Sequence, residues 1–180
     1  MALSVVYAAD TGHVVGALAL TGTRTGTGAP AEAADLVGPA LPLRVSLGEG
    51  RVATLPLSAR ELAVAAVDDE PGALAEPLAF AVEVTTDNKP KPALLRLPSW
   101  TEGIALATDG LTITVRIAVA RPTPVVALVS DEQNTHVLGG EIPAQQTQVK
   151  LPVTLVAGST HGVLVLAAGW AGRLERKVVT

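Results

Sequence analysis

Short aliphatic runs, each ended by a turn-forming residue, dominate this sequence. Runs rich in Val, Ala and Leu alternate along most of the chain with clusters of Gly, Pro and Asp. β-Branched residues favour extended backbone, and Gly, Pro and Asp mark the positions at which a strand must turn. Many short strands separated by such turns are typical of sandwiches and barrels, so the sequence predicts an all-β protein.

A similarity within the chain suggests that one β unit occurs twice. The stretch VVYAADTGHVVGA (residues 5–17) and the stretch VVALVSDEQNTHVLGG (residues 125–140) both read as hairpins. A Leu-Pro pair precedes a further apolar run in each copy, at Leu55 and at Leu151. We therefore predict an immunoglobulin-like β-sandwich architecture made of two small sandwich units that arose by internal duplication. A single larger sandwich with a pseudo-repeat is the alternative.

Composition shifts predict the domain boundaries. Residues 1–85 form an N-terminal β unit that carries a long Gly/Thr-rich loop insertion, and residues 111–180 form a C-terminal β unit. The Pro-rich residues 86–110 lie between them. Because Pro removes a backbone donor and biases the preceding residue towards extended geometry, this segment is predicted to be a semi-rigid connector.

Two further segments have the pattern of strands. Ser58 and Glu61 have the spacing of a helix capping box, but the alternating apolar residues after them and the internal repeat favour a strand over residues 60–67. LTITVRIAVA (residues 111–120) is β-branched nearly throughout and is predicted to be a strand over its whole length.

The small number of aromatic residues and the negative net charge argue against several classes of ligand. Aromatic residues make up 2% of the chain, whereas sites for sugars, flat cofactors or unpaired bases usually stack them on aromatic faces. The formal net charge of −4 argues against binding to nucleic-acid phosphates. Residues 1–85 carry a net charge of −6 and residues 86–180 one of +2, so opposite halves of neighbouring copies are electrostatically complementary.

Cysteine content and hydropathy bear on location. The chain has no Cys, which excludes disulfides and thiolate metal sites and fits a reducing compartment. The N-terminus lacks the basic and apolar regions of a signal peptide, and no apolar run is long enough to span a membrane. We expect synthesis in the cytoplasm without a signal peptide, and the Ala-rich composition with more Arg than Lys favours a bacterial source.

The residues that could carry chemistry are scattered. His13 and His136 occupy matching positions in the two hairpins, and His161 is the third histidine. The three could bind zinc, but no spacing brings them together, and we expect half-exposed histidines beside hairpin turns. Asp10 and His13 with a serine lack the sequence context of a hydrolase triad. The triplets DDE (residues 68–70) and SDE (residues 130–132) lack the spacing of a calcium loop and fall where a strand must turn. We therefore predict no catalytic residue, no metal site and no cofactor.

Two kinds of loop residue are candidates for an interface. GTRTGTG (residues 22–28) does not match a phosphate-binding loop, and we expect it to be flexible and to become ordered against a partner. A tryptophan on a loop is a frequent interface anchor because it buries a large area at low entropic cost, although the more common role is to cap the core of its own domain. The candidates are Trp100, Trp170, Gly22, Arg24, Gly26 and Gly28.

These features together favour a structural role. We predict a non-catalytic structural or adaptor subunit of a larger protein assembly, such as a ring, a filament or a phage-tail-like particle. Its partners would be other protein subunits in a homo-oligomer or a hetero-assembly, with no nucleic acid and no membrane span. The alternative is a monomeric β-sandwich module that binds a protein or peptide, and an enzyme is the third possibility.

Overall fold

The computed structural model describes residues 2–20, 42–57, 62–84, 91–100 and 103–180. Most of these residues form strands, which confirms the all-β class. The strands are β1 (Ala2–Ala8), β2 (Val14–Leu20), β3 (Pro42–Gly48), β4 (Arg51–Pro56), β5 (Leu62–Val67), β6 (Phe80–Val84), β7 (Pro92–Arg96), β8 (Ile104–Ala107), β9 (Gly110–Thr114), β10 (Thr123–Ser130), β11 (Thr135–Ile142), β12 (Gln148–Leu151), β13 (Thr160–Ala167) and β14 (Arg173–Val178). The described residues also contain a short helix, α1 (Pro71–Ala75), and a 3-10 turn at Pro77–Ala79.

The described strands pair antiparallel in several small sheets. The largest has the order β11-β10-β13-β14, and a three-stranded sheet β12-β9-β8 faces it. The N-terminal strands form the sheet β2-β1-β5 and the hairpins β3-β4 and β6-β7. No described helix is long and apolar enough to cross a membrane.

The central strands β10 and β13 of the sheet β11-β10-β13-β14 are covered on both faces, which explains the apolar sequence of β13 from Val163 onward. Val163 and Val165 point into the core shared with the sheet β12-β9-β8. Leu164 and Leu166 point the other way, into a core shared with β1, β2 and the hairpin β3-β4. Alternate side chains of a strand face opposite sides of its sheet, so a strand buried on both faces is apolar at every position.

A third core extends the stack of layers. It lies between the sheet β2-β1-β5 and a cover made of α1 and the hairpin β6-β7, and Leu3, Val5 and Phe80 are buried in it. Val6 and Ala8 of the same strand β1 point into the second core. The described residues therefore form successive β layers with an apolar core between each pair.

The two hairpins found in the sequence are confirmed, and their registers correspond. Val5 pairs with Ala17 on one side and with Ala65 on the other. Val125, which the internal comparison aligns with Val5, pairs with Gly140 and with Ala167. The strand predicted within residues 60–67 is confirmed as β5. The shorter first hairpin has a register shift between Val6 and Tyr7, which adjusts its pairing to the tighter turn.

The predicted strand over residues 111–120 is too long. β9 ends at Thr114, although Val115 still donates its N–H to the carbonyl of Thr147 at 2.8 Å, in the register of the β9–β12 pairing. Residues 116–122 follow an irregular path that is mostly exposed to solvent. The prediction failed because β propensity describes a residue's fit to a sheet, and the ladder with β12 does not continue past Val115. The next backbone bonds of the segment join Val119 to Gln145 and Gln146, outside any described strand.

The segment 86–110 is less irregular than its Pro content suggested. β7 pairs with β6, and β8 pairs with β9, so two described strands lie within it. The proposed boundaries at residues 85 and 111 remain a prediction. The interface candidates Gly22, Arg24, Gly26 and Gly28, together with Ser58 and Glu61, lie outside the described residues.

Candidate protein-binding groove

The turn between β13 and β14 forms the floor of a wide groove in the described part of the chain. Residues 168–172 make this turn, in which Gly169 has a φ of 82° that favours glycine. Ala171 donates its N–H to the carbonyl of Pro98 at 2.9 Å, and Gly172 donates to the carbonyl of Leu78 at 2.7 Å. The turn is thus fixed by segments that lie far away in the sequence.

Trp100 supports this turn from below. Its side chain is only 3% exposed, and its indole Nε1 donates a hydrogen bond to the carbonyl of Ala171 at 2.7 Å. The guanidinium of Arg173 lies over the indole ring, 5.5 Å from the ring centroid, and donates to the Trp100 carbonyl at 3.1 Å. Trp100 is therefore part of the core, in the role of a tryptophan that caps its own domain.

His13 fixes the same turn from the N-terminal sheet. The imidazole Nε2 lies 2.7 Å from the carbonyl of Trp170, and Nδ1 lies 2.9 Å from the Thr11 hydroxyl. A carbonyl only accepts, so Nε2 carries a hydrogen. His13 is fully buried, whereas the sequence suggested a half-exposed histidine beside a hairpin turn. The long-range bond to Trp170 makes this burial possible, because it satisfies the polar ring away from water.

The groove itself lies between the hairpin β6-β7 and the irregular segment 116–122. Phe80, Val82 and Leu94 face the third core, so Ala81 and Leu95 present the opposite face of the hairpin to the groove. The groove encloses about 1270 Å³. Its lining includes Gly12, Ala81, Glu83, Leu95, Leu97, Pro98, Arg116, Ile117, Ala118, Arg121 and Trp170.

Exposed apolar side chains form much of the groove walls. Leu95 is 44% exposed on one wall, and Ile117 is 70% exposed on the other. Trp170 is partly exposed on the floor between them. Large apolar side chains gathered around a concave surface are typical of a site that another molecule covers.

The charges of the groove are unevenly placed. Arg116 and Arg121 are exposed on one wall, and no carboxylate among the described residues lies within 4.0 Å of either guanidinium. Glu83 is exposed on the opposite wall. A ligand that carries carboxylates beside apolar groups would complement the arginine wall.

A second, smaller pocket brings together residues that the sequence left apart. It encloses about 310 Å³ and is lined by Arg51, Asp131, Glu132, Gln133, Gly158, Ser159, Thr160 and His161. The Ser159 hydroxyl lies 2.9 Å from Nε2 of His161 and donates to the carbonyl of Val156 at 2.5 Å. With its proton directed to that carbonyl, the hydroxyl accepts from the imidazole N–H. The pair therefore lacks the polarity of a serine activated by a histidine base.

Asp131 does not complete a triad in this pocket. Its Oδ1 accepts the backbone N–H groups of Gln133 and Asn134, at 2.8 and 2.7 Å, within the β10–β11 turn. Nδ1 of His161 is buried and has no hydrogen-bond partner among the described residues. A catalytic imidazole needs a group that orients it through this nitrogen. The described residues also contain no cluster of three His, Asp or Glu side chains that could hold a metal ion.

Burial makes His161 sensitive to pH. The side chain is 4% exposed, and desolvation lowers its pKa below the ordinary value; nearby Asp131 opposes this shift, and His136 adds to it. Below pH of about 6.5 the unfolded chain therefore takes up a proton at this position more readily than the folded chain does. The contribution of His161 to stability is complete above that pH and declines as the pH falls.

We predict that a His161→Gln variant loses less stability on acidification than the parent chain. The measurement is the free energy of unfolding by urea at pH 7.5 and at pH 5.5. The exposed His136 provides the matched variant, and His136→Gln should keep most of the parental difference. Equal losses for the parent and for His161→Gln would show that His161 does not contribute.

The two tryptophans that the sequence offered as interface candidates lie in different environments. Trp170 lies at the groove, and Trp100 lies beneath it in the core. Arg116, Ile117 and Leu95 were not singled out from the sequence. The signal for Arg116 and Ile117 was present in RIAVARP (residues 116–122), where an apolar run lies between two arginines and ends at a proline, but such a run also reads as the end of a strand.

Comparison with known proteins identifies no relative from which a role could be inferred. The chain matches no protein-family model, no curated protein and no solved structure.

Proposed function

We propose that this protein is a non-catalytic adaptor or structural subunit that binds an extended segment of another protein in the groove beside Trp170. The proposal rests on the groove, which has exposed apolar side chains on both walls and two arginines without an ionic partner among the described residues. The segment would place apolar side chains against Leu95 and Ile117 and carboxylates against Arg116 and Arg121.

The size of the groove supports a polypeptide as its ligand. Small-molecule sites usually enclose about 300–1,000 Å³ and bury most of the ligand. This groove is larger, at about 1270 Å³, and the exposed Ile117 and Leu95 lie on facing walls. An extended segment of about eight residues would span some 26 Å, which lets it contact both walls and the Trp170 floor in succession.

An internal duplication would give this subunit its two-unit architecture. The corresponding registers around Val5 and Val125, each flanked by a hairpin partner and a later strand, support it. Each unit would be a small immunoglobulin-like sandwich, and the two would meet at the core that contains Leu164 and Leu166. The groove would then lie at the junction of the units, where binding sites are frequent.

The two tryptophans provide a direct test of groove binding. Incorporation of 5-fluorotryptophan gives one ¹⁹F signal for the buried Trp100 and one for Trp170 at the groove. We predict that an acetylated peptide of about eight residues that alternates Val and Glu shifts the Trp170 signal and leaves that of Trp100 unchanged. A peptide that alternates Val and Lys is the control and should shift neither signal.

Charge reversal on the arginine wall tests where the peptide binds. Arg116→Glu and Arg121→Glu should each weaken binding of the Val/Glu peptide about tenfold, because each replaces an attractive contact by a repulsive one. Arg44, exposed on β3 outside the groove lining, provides the matched change Arg44→Glu, which should leave the affinity nearly unchanged. A Trp170 signal that does not move at millimolar peptide would contradict the proposal.

The same groove also fits the second candidate, a monomeric module that binds a free peptide or a protein tail. The two roles differ in whether the bound segment belongs to a stoichiometric partner. Affinity purification of the chain from the organism that encodes it, with Arg121→Glu as the comparison, separates them. An adaptor should retain a partner in a fixed ratio that Arg121→Glu loses, whereas a peptide-binding module should retain none in a fixed ratio.

A further inference from the structure

β11 is an edge strand of the four-stranded sheet and is long for that position. All eight of its residues, Thr135–Ile142, pair with β10, and no described strand pairs with its other edge. Val137 is 51% exposed, and Gly139 has open space where a Cβ would lie. A long exposed edge presents a row of unpaired backbone donors and acceptors to another chain.

Two hydrogen bonds determine which residues of β11 point outward. Asp131 donates its N–H to the carbonyl of Asn134 at 3.0 Å, so these two residues form a closely bonded pair at the turn. On the other side of β10, the Pro124 carbonyl accepts from Ala168, so the even-numbered residues of β10 face β13. Bonded and non-bonded pairs alternate in an antiparallel ladder, and the register of β10 and β11 is continuous. The backbone groups of Thr135, Val137, Gly139 and Glu141 therefore point outward.

The two edges of this sheet differ in their protection. β14, at the opposite edge, carries the charged residues Arg173, Glu175, Arg176 and Lys177 in six positions. β11 carries only Glu141 and His136 among eight positions. Charged side chains are a common means by which proteins prevent edge strands from pairing, so β14 is protected and β11 is open.

We propose that β11 pairs antiparallel with β11 of a second copy, about a two-fold axis at Leu138. In such a pair the residue on the axis lies opposite itself, and residues equally far to either side lie opposite each other. The outward-pointing residues are distributed symmetrically about Leu138, so Thr135 lies opposite Glu141 of the second copy and Val137 opposite Gly139 of the second copy. The two four-stranded sheets then form one continuous sheet.

The register about Leu138 uses the edge most fully. Each closely bonded pair exchanges two hydrogen bonds, so this register makes about eight between the copies, whereas an axis at Gly139 would make about six. The Thr135 hydroxyl lies beside the Glu141 carboxylate of the second copy, and the bulky Val137 lies beside a glycine. No like charges lie directly opposite each other, which would weaken a pair of strands.

Single cysteines test the register directly, since the chain has none of its own. Directly opposed residues of a non-bonded pair have Cα atoms about 4.5 Å apart, within the range of a disulfide, whereas diagonal neighbours are about 7–8 Å apart. Under mild oxidation, Leu138→Cys should therefore form a covalent dimer and Gly139→Cys should not. Crosslinking of Gly139→Cys but not Leu138→Cys would overturn the proposed axis.

Mass measurements test the pairing without crosslinks. The parent chain should show a mass by light scattering that rises with concentration from 18.3 kDa towards about twice that value. Val137→Pro removes an outward N–H and should keep the chain at 18.3 kDa, and Gly139→Lys, whose Cβ would have no atom within 4 Å in the folded chain, should do the same. Val178→Pro changes a residue of β14 that is also 51% exposed, and it should still dimerise.

Far-UV circular dichroism establishes that each variant is folded. A parent chain that remains at 18.3 kDa at millimolar concentration would overturn the proposal, as would a folded Val137→Pro and a folded Gly139→Lys that both dimerise like the parent. The groove beside Trp170 lies on other elements, so either proposal can fail without the other.

Discussion

Replacing Trp100 by alanine is expected to lower the free energy of unfolding by about 3–5 kcal/mol, the usual cost of truncating a large buried aromatic side chain. The indole is 3% exposed, and its loss leaves the Ala171 carbonyl without its donor and the Arg173 guanidinium without the ring beneath it. A buried acceptor that loses its partner adds to the cost of the cavity. Urea unfolding followed by far-UV circular dichroism measures the loss.

Trp170→Ala is the control for this prediction. The Trp170 side chain is partly exposed at the groove, and the hydrogen bonds of its residue are made by its backbone N–H and carbonyl, which alanine retains. We expect its cost to be about 1 kcal/mol, within the range of partly exposed positions. If both variants lost the same free energy, the assignment of Trp100 to the core and of Trp170 to the groove would be wrong.

Replacing His13 by alanine is expected to cost about 3–4 kcal/mol. The change leaves a cavity at a fully buried position, removes the donor to the Trp170 carbonyl and leaves the Thr11 hydroxyl without the ring nitrogen. The same urea titration measures it. Because the bond to Trp170 joins the N-terminal sheet to the β13–β14 turn, the ¹⁹F signal of Trp170 should also move, whereas a purely local effect on β2 would leave it in place.

His136→Ala provides the comparison for His13→Ala. The internal alignment places His136 opposite His13, yet its side chain is exposed on β11. We expect a change within about 0.5 kcal/mol, as for most surface substitutions. A cost for His13→Ala as small as this would show that the buried hydrogen bonds contribute little.

Local patterns predicted those elements whose formation depends on neighbouring residues. The hairpins of β1 with β2 and of β10 with β11 were predicted because apolar arms flank a turn of suitable residues, and both formed in the expected place. β5 was also predicted, since the repeat favoured a strand over the helix that the capping-box spacing suggested. Alternation and turn chemistry are readable over a few residues, which is the length of these elements.

Features that depend on distant contacts were not predicted. Residues 116–118 have strong β propensity, but the ladder with β12 stops at Val115, and Ile117 is left 70% exposed. His13 reads as a surface residue until Trp170 is brought beside it. The groove is assembled from β6, β7, the segment 116–122 and the turn after β13, and no local pattern indicates that these segments meet.

The conformation of the β13–β14 turn depends on hydrogen bonds to its main chain and not on its side chains. Pro98, Leu78, Trp100 and His13 all bond to main-chain atoms of residues 170–172. Any residue type that tolerates the local backbone supplies the same carbonyls and amides, so position 170 can change while the turn keeps its form. If the groove binds a segment as proposed, a substitution at position 170 would change the side chain that the segment meets, while the backbone hydrogen bonds of the turn remain.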